Sequence, residues 1–223
     1  MMTESEAISQ SFYDQLGPDG LSARTQPDWD QKIVASLTKM IRPGSKILDV
    51  GCGYGRIAVS LARHGFSVTG LDLSNVLLAK AKEMAEATGL RVEWLHESMC
   101  EMSTPSDSFD TVLSLWSAFY ELLSERDQLK AIQEMYRVLK LGGWALIEGP
   151  TYRKATEEEL SSGRRYGLDG RIAFDVINGL TNPHFLHDSE SFGRLMALAN
   201  ISTYQVYVAD WAGRDRQFLQ FEK

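Results

Sequence analysis

Two carboxylates and a run of alternating glycines define the chemistry open to this chain. In Asp49-Val-Gly-Cys-Gly-Tyr-Gly55 an acid precedes Gly51, Gly53 and Gly55, and a second acid, Asp72, follows 21 residues beyond Gly51. Glycines so spaced allow positive φ and let another molecule approach the backbone with no Cβ in the way. A dinucleotide fingerprint reads G-x-G-x-x-G and seats a pyrophosphate on the helix that follows. The spacing here is different, and an acid two residues before the first glycine repels phosphate while suiting an ammonium group. Asp72 falls at the ~20-residue offset at which an acid reaches a ribose diol in α/β nucleotide folds. It is also placed to cap a helix opening at Ser74-Asn75.

The elements that position these groups are legible around them. Ile47, Leu48 and Val50 make the short apolar run of a buried parallel strand, and Ile57, Ala58, Leu61 and Ala62 recur at helical spacing directly after it. A strand therefore turns sharply into a helix, whose N–H groups are expected to face a ligand at the carboxyl end of the strand. The D-x-G-x-G-x-G run after an apolar strand resembles motif I of the class I S-adenosylmethionine-dependent methyltransferases.

That resemblance implies S-adenosylmethionine as cofactor, with its methionine part wrapped by Asp49, Gly51, Cys52, Gly53 and Gly55. It implies that Asp72 holds both ribose hydroxyls and that Leu73 packs on adenine. Aligned on Ser108-Phe109-Asp110, Ser98 takes the place of the family's adenine-side acid and Met99 follows it; a one-residue shift would put Glu97 there instead. Leu115 and Trp116, after the fourth strand, are expected beside the glycine loop. Tyr13, in an N-terminal helical cap, is offered as a further cofactor contact, or as an aromatic that only staples that cap to the core. Cys52 has no base beside it in sequence and reads as a small loop residue rather than a nucleophile.

The remaining pattern predicts one domain over residues 1–223, with an N-terminal cap at 1–43. Phe12-Tyr13-Asp14 reads as a short helical piece broken at Gly17-Pro18-Asp19-Gly20, and Asp28-Trp29 opens an amphipathic helix stopped at Pro43-Gly44. Strands follow near 66–71, 91–95, 109–115 and 143–148, with helices at 75–88 and 124–139 between them. Closing strands near 203–208 and 216–221 join through an Ala212-Gly213 turn. The fold class expected is α/β: a doubly wound, Rossmann-like seven-stranded sheet of order 3-2-1-4-5-7-6 with the last strand antiparallel. Residues 151–187 are too long for an ordinary connection and read as a partly helical substrate cover, with Asn182-Pro183-His184-Phe185 as a turn.

The reaction implied is in-line methyl transfer to an O or N atom of a small organic acceptor. Trp116, Phe119 and Tyr120 are the aromatic faces available to a sulfonium. A base is needed only for a hydroxyl or protonated nitrogen, and the candidates are His187, Tyr120, His184 and Glu121. His64 and His96 read as structural. The 223 residues carry a net charge of −7, which disfavours a polyanionic partner. The acceptor expected is small and largely neutral or cationic, with Arg164, Arg165 and Arg171 leaving room for one carboxylate. No metal, nucleic acid or membrane partner is expected, and the protein is expected to be cytoplasmic, as a monomer or homodimer. A nicotinamide-dependent oxidoreductase and a non-catalytic cofactor-binding subunit are the other readings.

Overall fold

A computed structural model describes residues 2–26, 28–167 and 170–223. The strands are β1 (Lys46–Val50), β2 (Ser67–Asp72), β3 (Glu93–His96), β4 (Phe109–Ser114), β5 (Leu139–Pro150), β6 (Arg165–Tyr166), β7 (Ile172–Ile177), β8 (Leu180–Phe185), β9 (Tyr204–Trp211) and β10 (Arg214–Glu222). Seven of them form one sheet in the order β3-β2-β1-β4-β5-β10-β9. β1 lies parallel to both β2 and β4, while β10 runs antiparallel to β5 and β9. With β9 and β10 as the sixth and seventh strands of the sheet, this is the order read from the sequence.

The helices are α1 (Glu4–Ser22), α2 (Trp29–Met40), α3 (Arg56–Arg63), α4 (Asn75–Ala87), α5 (Glu125–Val138), α6 (Glu157–Ser161) and α7 (Ser189–Leu198). A 3-10 turn spans Ala118–Glu121. Successive residues of a strand point to opposite faces of the sheet, so β1 feeds two cores. Leu48 and Val50 pack with Ile132 and Met135 of α5 and Phe192 and Met196 of α7. Ile47 packs with Val34 and Leu37 of α2 and Ile57 and Leu61 of α3. Burial on both faces is why β1 reads as an unbroken apolar run.

Two regions differ from the sequence reading. α1 is one long element that resumes beyond a kink at Gly17 (φ 68°), with Pro18 opening its second part; a Thr3–Glu6 capping box starts it. The cover at 151–187 contains the single turn of α6, but its main feature is a separate antiparallel sheet, β6-β7-β8. Asn182-Pro183-His184-Phe185 is therefore strand, not turn. Among the described residues β8 pairs with β7 alone, and an edge strand tolerates the missing amide of Pro183. Leu168 and Asp169, within the expected cover, and Pro27, within the expected cap, lie outside the described residues.

Candidate active site

A cavity opens beside the carboxyl ends of β1, β2 and β4. The glycine loop forms its floor. The amides of Gly51 and Cys52 both donate to the Leu71 carbonyl (2.8 and 3.0 Å), and that of Gly53 donates to Asp72 Oδ2 (2.7 Å). These loop N–H groups are thus consumed within the protein. What the loop supplies is shape. Gly51 (φ 72°) lies so near the turn after β4 that a Cβ there would meet Ala118 Cβ at 2.4 Å. A Cβ on Gly53 (φ 55°) would make only ordinary contacts, with Leu21 Cδ2 at 3.5 Å and Leu77 Cδ1 at 3.9 Å.

Asp72 braces the loop through Oδ2 and the turn into α4 through Oδ1, which accepts from the Ser74 amide at 2.9 Å. The cap of α4 is Ser74, whose hydroxyl accepts from Leu77 N–H at 3.1 Å. Asp72 is therefore not the helix cap, and its carboxylate faces the cavity. Burial, the largest cause, raises its pKa to about 6. Asp49 is buried beneath the loop; burial, then the charge of Asp72, raises its pKa to about 7 despite Arg56 nearby. Burial, then the charges of Asp72 and Asp49, pushes the Cys52 thiol up, which removes the thiolate a nucleophile requires.

α1 forms one wall through Glu6, Ser9, Tyr13 and Leu21. It is fastened across the β2–α4 turn by Asp14, which accepts from the Ser74 hydroxyl (2.6 Å), and by Gln10, which donates to the Leu73 carbonyl (2.8 Å). The buried carboxylate of Glu121 gathers donors from two elements. Tyr13 OH (2.6 Å) and the Ser9 hydroxyl reach it from α1, and Asn182 Nδ2 (2.9 Å) from β8; His184 Nε2 stands 3.8 Å away. Burial, then the charge of Glu121, raises the pKa of Tyr13, so its phenol stays protonated.

Trp116 and Ser117 both adopt left-handed backbone (φ 55° and 73°), a conformation that costs non-glycine residues on the order of 1 kcal/mol or more each. Glu148, at the end of β5, holds the pair. Its carboxylate accepts from the Trp116 amide (2.6 Å) and from Arg216 Nε, and Arg216 also donates to the Ser117 hydroxyl (3.0 Å). The Trp116 ring is thereby set in the wall shared with a second cavity, against Trp29 (centroids 5.5 Å apart) and Arg56 (4.3 Å). Tyr13, Leu21, Arg56 and Trp116 line both cavities.

Of the residues expected at the cofactor, Tyr13, Asp49, Gly51, Cys52, Gly53, Asp72, Leu73, Met99, Leu115 and Trp116 line the first cavity. Gly55 and Ser98 do not. A Cβ on Gly55 would meet Trp94 Cη2 at 2.6 Å and Ala81 Cβ at 2.8 Å, so this glycine lets α3 pack on its neighbours. The Ser98 hydroxyl donates to Glu6 and accepts from the Cys100 amide, whereas Glu97 lines the cavity. His187 and Tyr120 also stand apart from the cavities. His187 is fully buried, stacked on Phe192 at 4.4 Å, and burial followed by Arg171 lowers its pKa to about 3. Tyr120 is buried with its ring against Gly149, and burial raises its pKa.

Glu6, Ser9, Leu21 and Arg56 were not anticipated. The Thr3-x-x-Glu6 pattern marks a helix start, but nothing local in it tells that the same Glu6 faces a cavity.

The two cavities have opposite electrostatic character. The first is lined by five carboxylates (Glu6, Asp49, Asp72, Glu97, Glu121) and one guanidinium, Arg56. An acid-lined cleft over a glycine cradle suits a cationic ligand with hydroxyls and disfavours pyrophosphate.

Comparisons with known proteins agree with this fit. Residues 47–143 match the model of a family described as "Methyltransferase domain". A relative from Geobacillus sp. (strain WCH70) that bears a provisional methyltransferase name is 39% identical over 121 residues, 54% of this chain and 49% of the relative. The chain spans about half the length of the curated relatives it matches first. Among solved structures, a Burkholderia thailandensis 1,6-didemethyltoxoflavin-N1-methyltransferase, holding its substrate and S-adenosylhomocysteine, superposes with a TM-score of 0.69 at 17% identity, over 97% of this chain and 88% of that one. The CcbJ methyltransferase of Streptomyces caelestis gives 0.70 at 15% identity, over 99% and 98%.

Proposed function

We propose that this chain, which carries a class I S-adenosylmethionine-dependent methyltransferase domain, binds S-adenosylmethionine in the acid-lined cavity and methylates a small organic molecule seated in the adjoining one. The observation that supports this most is the shared wall of Tyr13 and Trp116 between two cavities of opposite charge. When bound, S-adenosylmethionine supplies a methyl group made electrophilic by a sulfonium, and the remaining work is positioning. Holding donor and acceptor at attack distance recovers several kcal/mol of the barrier.

Asp49 would offer its carboxylate to the ammonium end, with Gly51 and Gly53 giving backbone approach. Asp72 retains lone pairs beyond those used by the Gly53 and Ser74 amides, and these suit two ribose hydroxyls. Leu73 and Met99 are apolar walls for adenine, and Trp116 and Tyr13 present aromatic faces worth roughly 0.5–2 kcal/mol to a cation. Glu121, with Tyr13 and His184 about it, lies at the boundary between the cavities and is the group best placed to hold an acceptor proton. Its three donors, Ser9, Tyr13 and Asn182, keep the carboxylate oriented. His187, neutral and away from both cavities, is given no part.

Calorimetric titration with S-adenosylhomocysteine, beside NADH as control, tests the reading. Saturable binding of the first and none of the second is expected. Folded protein that binds NADH, or neither, would sink it. Release of S-adenosylhomocysteine over a metabolite panel then identifies the acceptor.

A further inference from the structure

The second cavity has a lining unlike the first. Five arginines face it, Arg24, Arg56, Arg165, Arg214 and Arg216, against one lining carboxylate, Asp175. A net charge of −7 for the chain argued for a neutral or cationic acceptor. The lining of this cavity has the reverse balance.

Four of these arginines already have carboxylate partners: Arg24 pairs with Asp175 (2.9 Å), Arg56 with Asp30 (2.9 Å), Arg216 with Glu148, and Arg165 stands 4.0 Å from Glu159. Arg214 differs. Among the described residues it forms no ion pair, and it lies over the Trp29 ring at 4.0 Å and beside Trp116 at 5.6 Å. Burial, then Arg216, lowers its pKa; Glu148 opposes them and Arg24 adds to the lowering. Arg216 and Arg24 are each matched by a carboxylate, so an anion brought here meets Arg214 as the guanidinium with no such partner among the described residues.

We infer that the acceptor is a small organic acid carrying one carboxylate on a flat apolar body, with the carboxylate at Arg214 and the body against the Trp29–Trp116 wall. One unpaired guanidinium matches one negative charge, which favours a carboxylate over a dianionic phosphate monoester. A guanidinium fork presents paired donors to a carboxylate, while the indole pair and Leu186 supply the apolar contact. Such a molecule meets the wall of Tyr13 and Trp116 with its uncharged end, toward Glu121. This inference rests on the methyltransferase reading above, and the two can fail separately.

The test uses benzoate, benzamide and phenyl phosphate as probes, titrated into the full chain saturated with S-adenosylhomocysteine and followed by the fluorescence of the tryptophans. Benzoate is expected to bind at least tenfold tighter than benzamide and tighter than phenyl phosphate. Arg214→Gln should weaken benzoate at least fivefold, leaving benzamide and S-adenosylhomocysteine affinities unchanged. Arg164→Gln, on an exposed arginine outside the cavity, should change nothing. Equal affinity for benzoate and benzamide, or an Arg214→Gln effect equal on both, would overturn the inference. Tightest binding of phenyl phosphate would replace the carboxylate by a phosphate, and turnover supported only by RNA would discard a small acid altogether. Failure of S-adenosylhomocysteine to bind folded wild-type protein would instead remove the methyltransferase reading.

Discussion

Replacing Asp49 by asparagine separates what the fold tolerates from what the ligand requires. The Asp49 carboxyl ionises at about 7 in the folded protein, mainly through burial and next through the charge of Asp72, against an ordinary 3.8. The folded state therefore holds the proton more tightly than the unfolded chain. The associated stability is fully present below about pH 4 and is lost as pH rises through 7. At 1.36 kcal/mol per pH unit, the loss is on the order of 2 kcal/mol at pH 5 and 4 kcal/mol above pH 7. Asparagine keeps the shape without the titration. Asp49→Asn should thus match the parent at pH 4 and exceed its stability by up to about 4 kcal/mol at pH 8, read from urea unfolding of ligand-free protein at several pH values. Its affinity for S-adenosylhomocysteine should move the other way, weakening by about 1.5–3 kcal/mol for the lost charge-assisted contact to the ammonium. A stability gap that does not widen with pH, or an unchanged affinity, would refute the reasoning.

Asp72→Ala should weaken S-adenosylhomocysteine by about 1–3 kcal/mol and loosen the glycine loop, seen as faster amide exchange at Gly53; full affinity would remove Asp72 from the site. Gly51→Ala forces a 2.4 Å approach onto Ala118 and should lower the melting temperature sharply, whereas Gly53→Ala should cost about 1 kcal/mol of stability, from strain at φ 55°, and lose cofactor binding. An equal stability loss in the two would contradict the absence of a clash at Gly53. Glu121→Gln leaves the hydroxyls of Tyr13 and Ser9 and the Asn182 amide without an anionic acceptor and should cost about 1–3 kcal/mol in unfolding measurements. His187→Phe, at a ring that neither cavity touches, should shift stability by under about 1.5 kcal/mol and leave turnover intact. A tenfold fall in turnover of the folded variant would restore His187 as a base.

The parts of the site that were legible in the sequence are those whose chemistry is written locally. Asp49, the glycines and Asp72 belong to one strand–loop–helix–strand unit, so their spacing alone brings them together. Trp116 and Leu115 were placed by sheet order, which follows from how parallel strands connect. The remainder depends on contacts far apart in the chain. Glu121 is defined by Ser9, Tyr13 and Asn182, and Arg214 by Trp29, pairings that leave no periodic trace. Ser98 was assigned by alignment on a downstream strand and proves to serve α1 through Glu6. The left-handed Trp116-Ser117 pair was invisible because neither residue favours positive φ, and only Glu148 and Arg216 make it stable. Pro183 was read as a turn former, since a strand at a sheet edge does not reveal its edge position in sequence.

The placement of α1 has a consequence for the rate at which turnover can proceed. Glu6, Ser9, Tyr13 and Leu21 span the helix on both sides of its Gly17 kink and all face the acid-lined cavity. A molecule bound there is covered by that helix, and its departure requires the helix to lift. The fastenings that must part include the Asp14–Ser74 and Gln10–Leu73 hydrogen bonds, the bonds of Ser9 and Tyr13 to Glu121, the Ser98–Glu6 bond, the Leu123 amide's bond to Ser5 and the packing of Phe12 and Leu16. Each net bond of this kind is worth about 0.5–1.5 kcal/mol, so opening is expected in the microsecond-to-millisecond range of lid motions. Opening of α1 is thus expected to gate the release of a bound molecule. Gln10→Ala should raise the dissociation rate of S-adenosylhomocysteine in stopped-flow displacement while leaving single-turnover methyl transfer unchanged, and an unaltered dissociation rate would mean that the exit lies elsewhere.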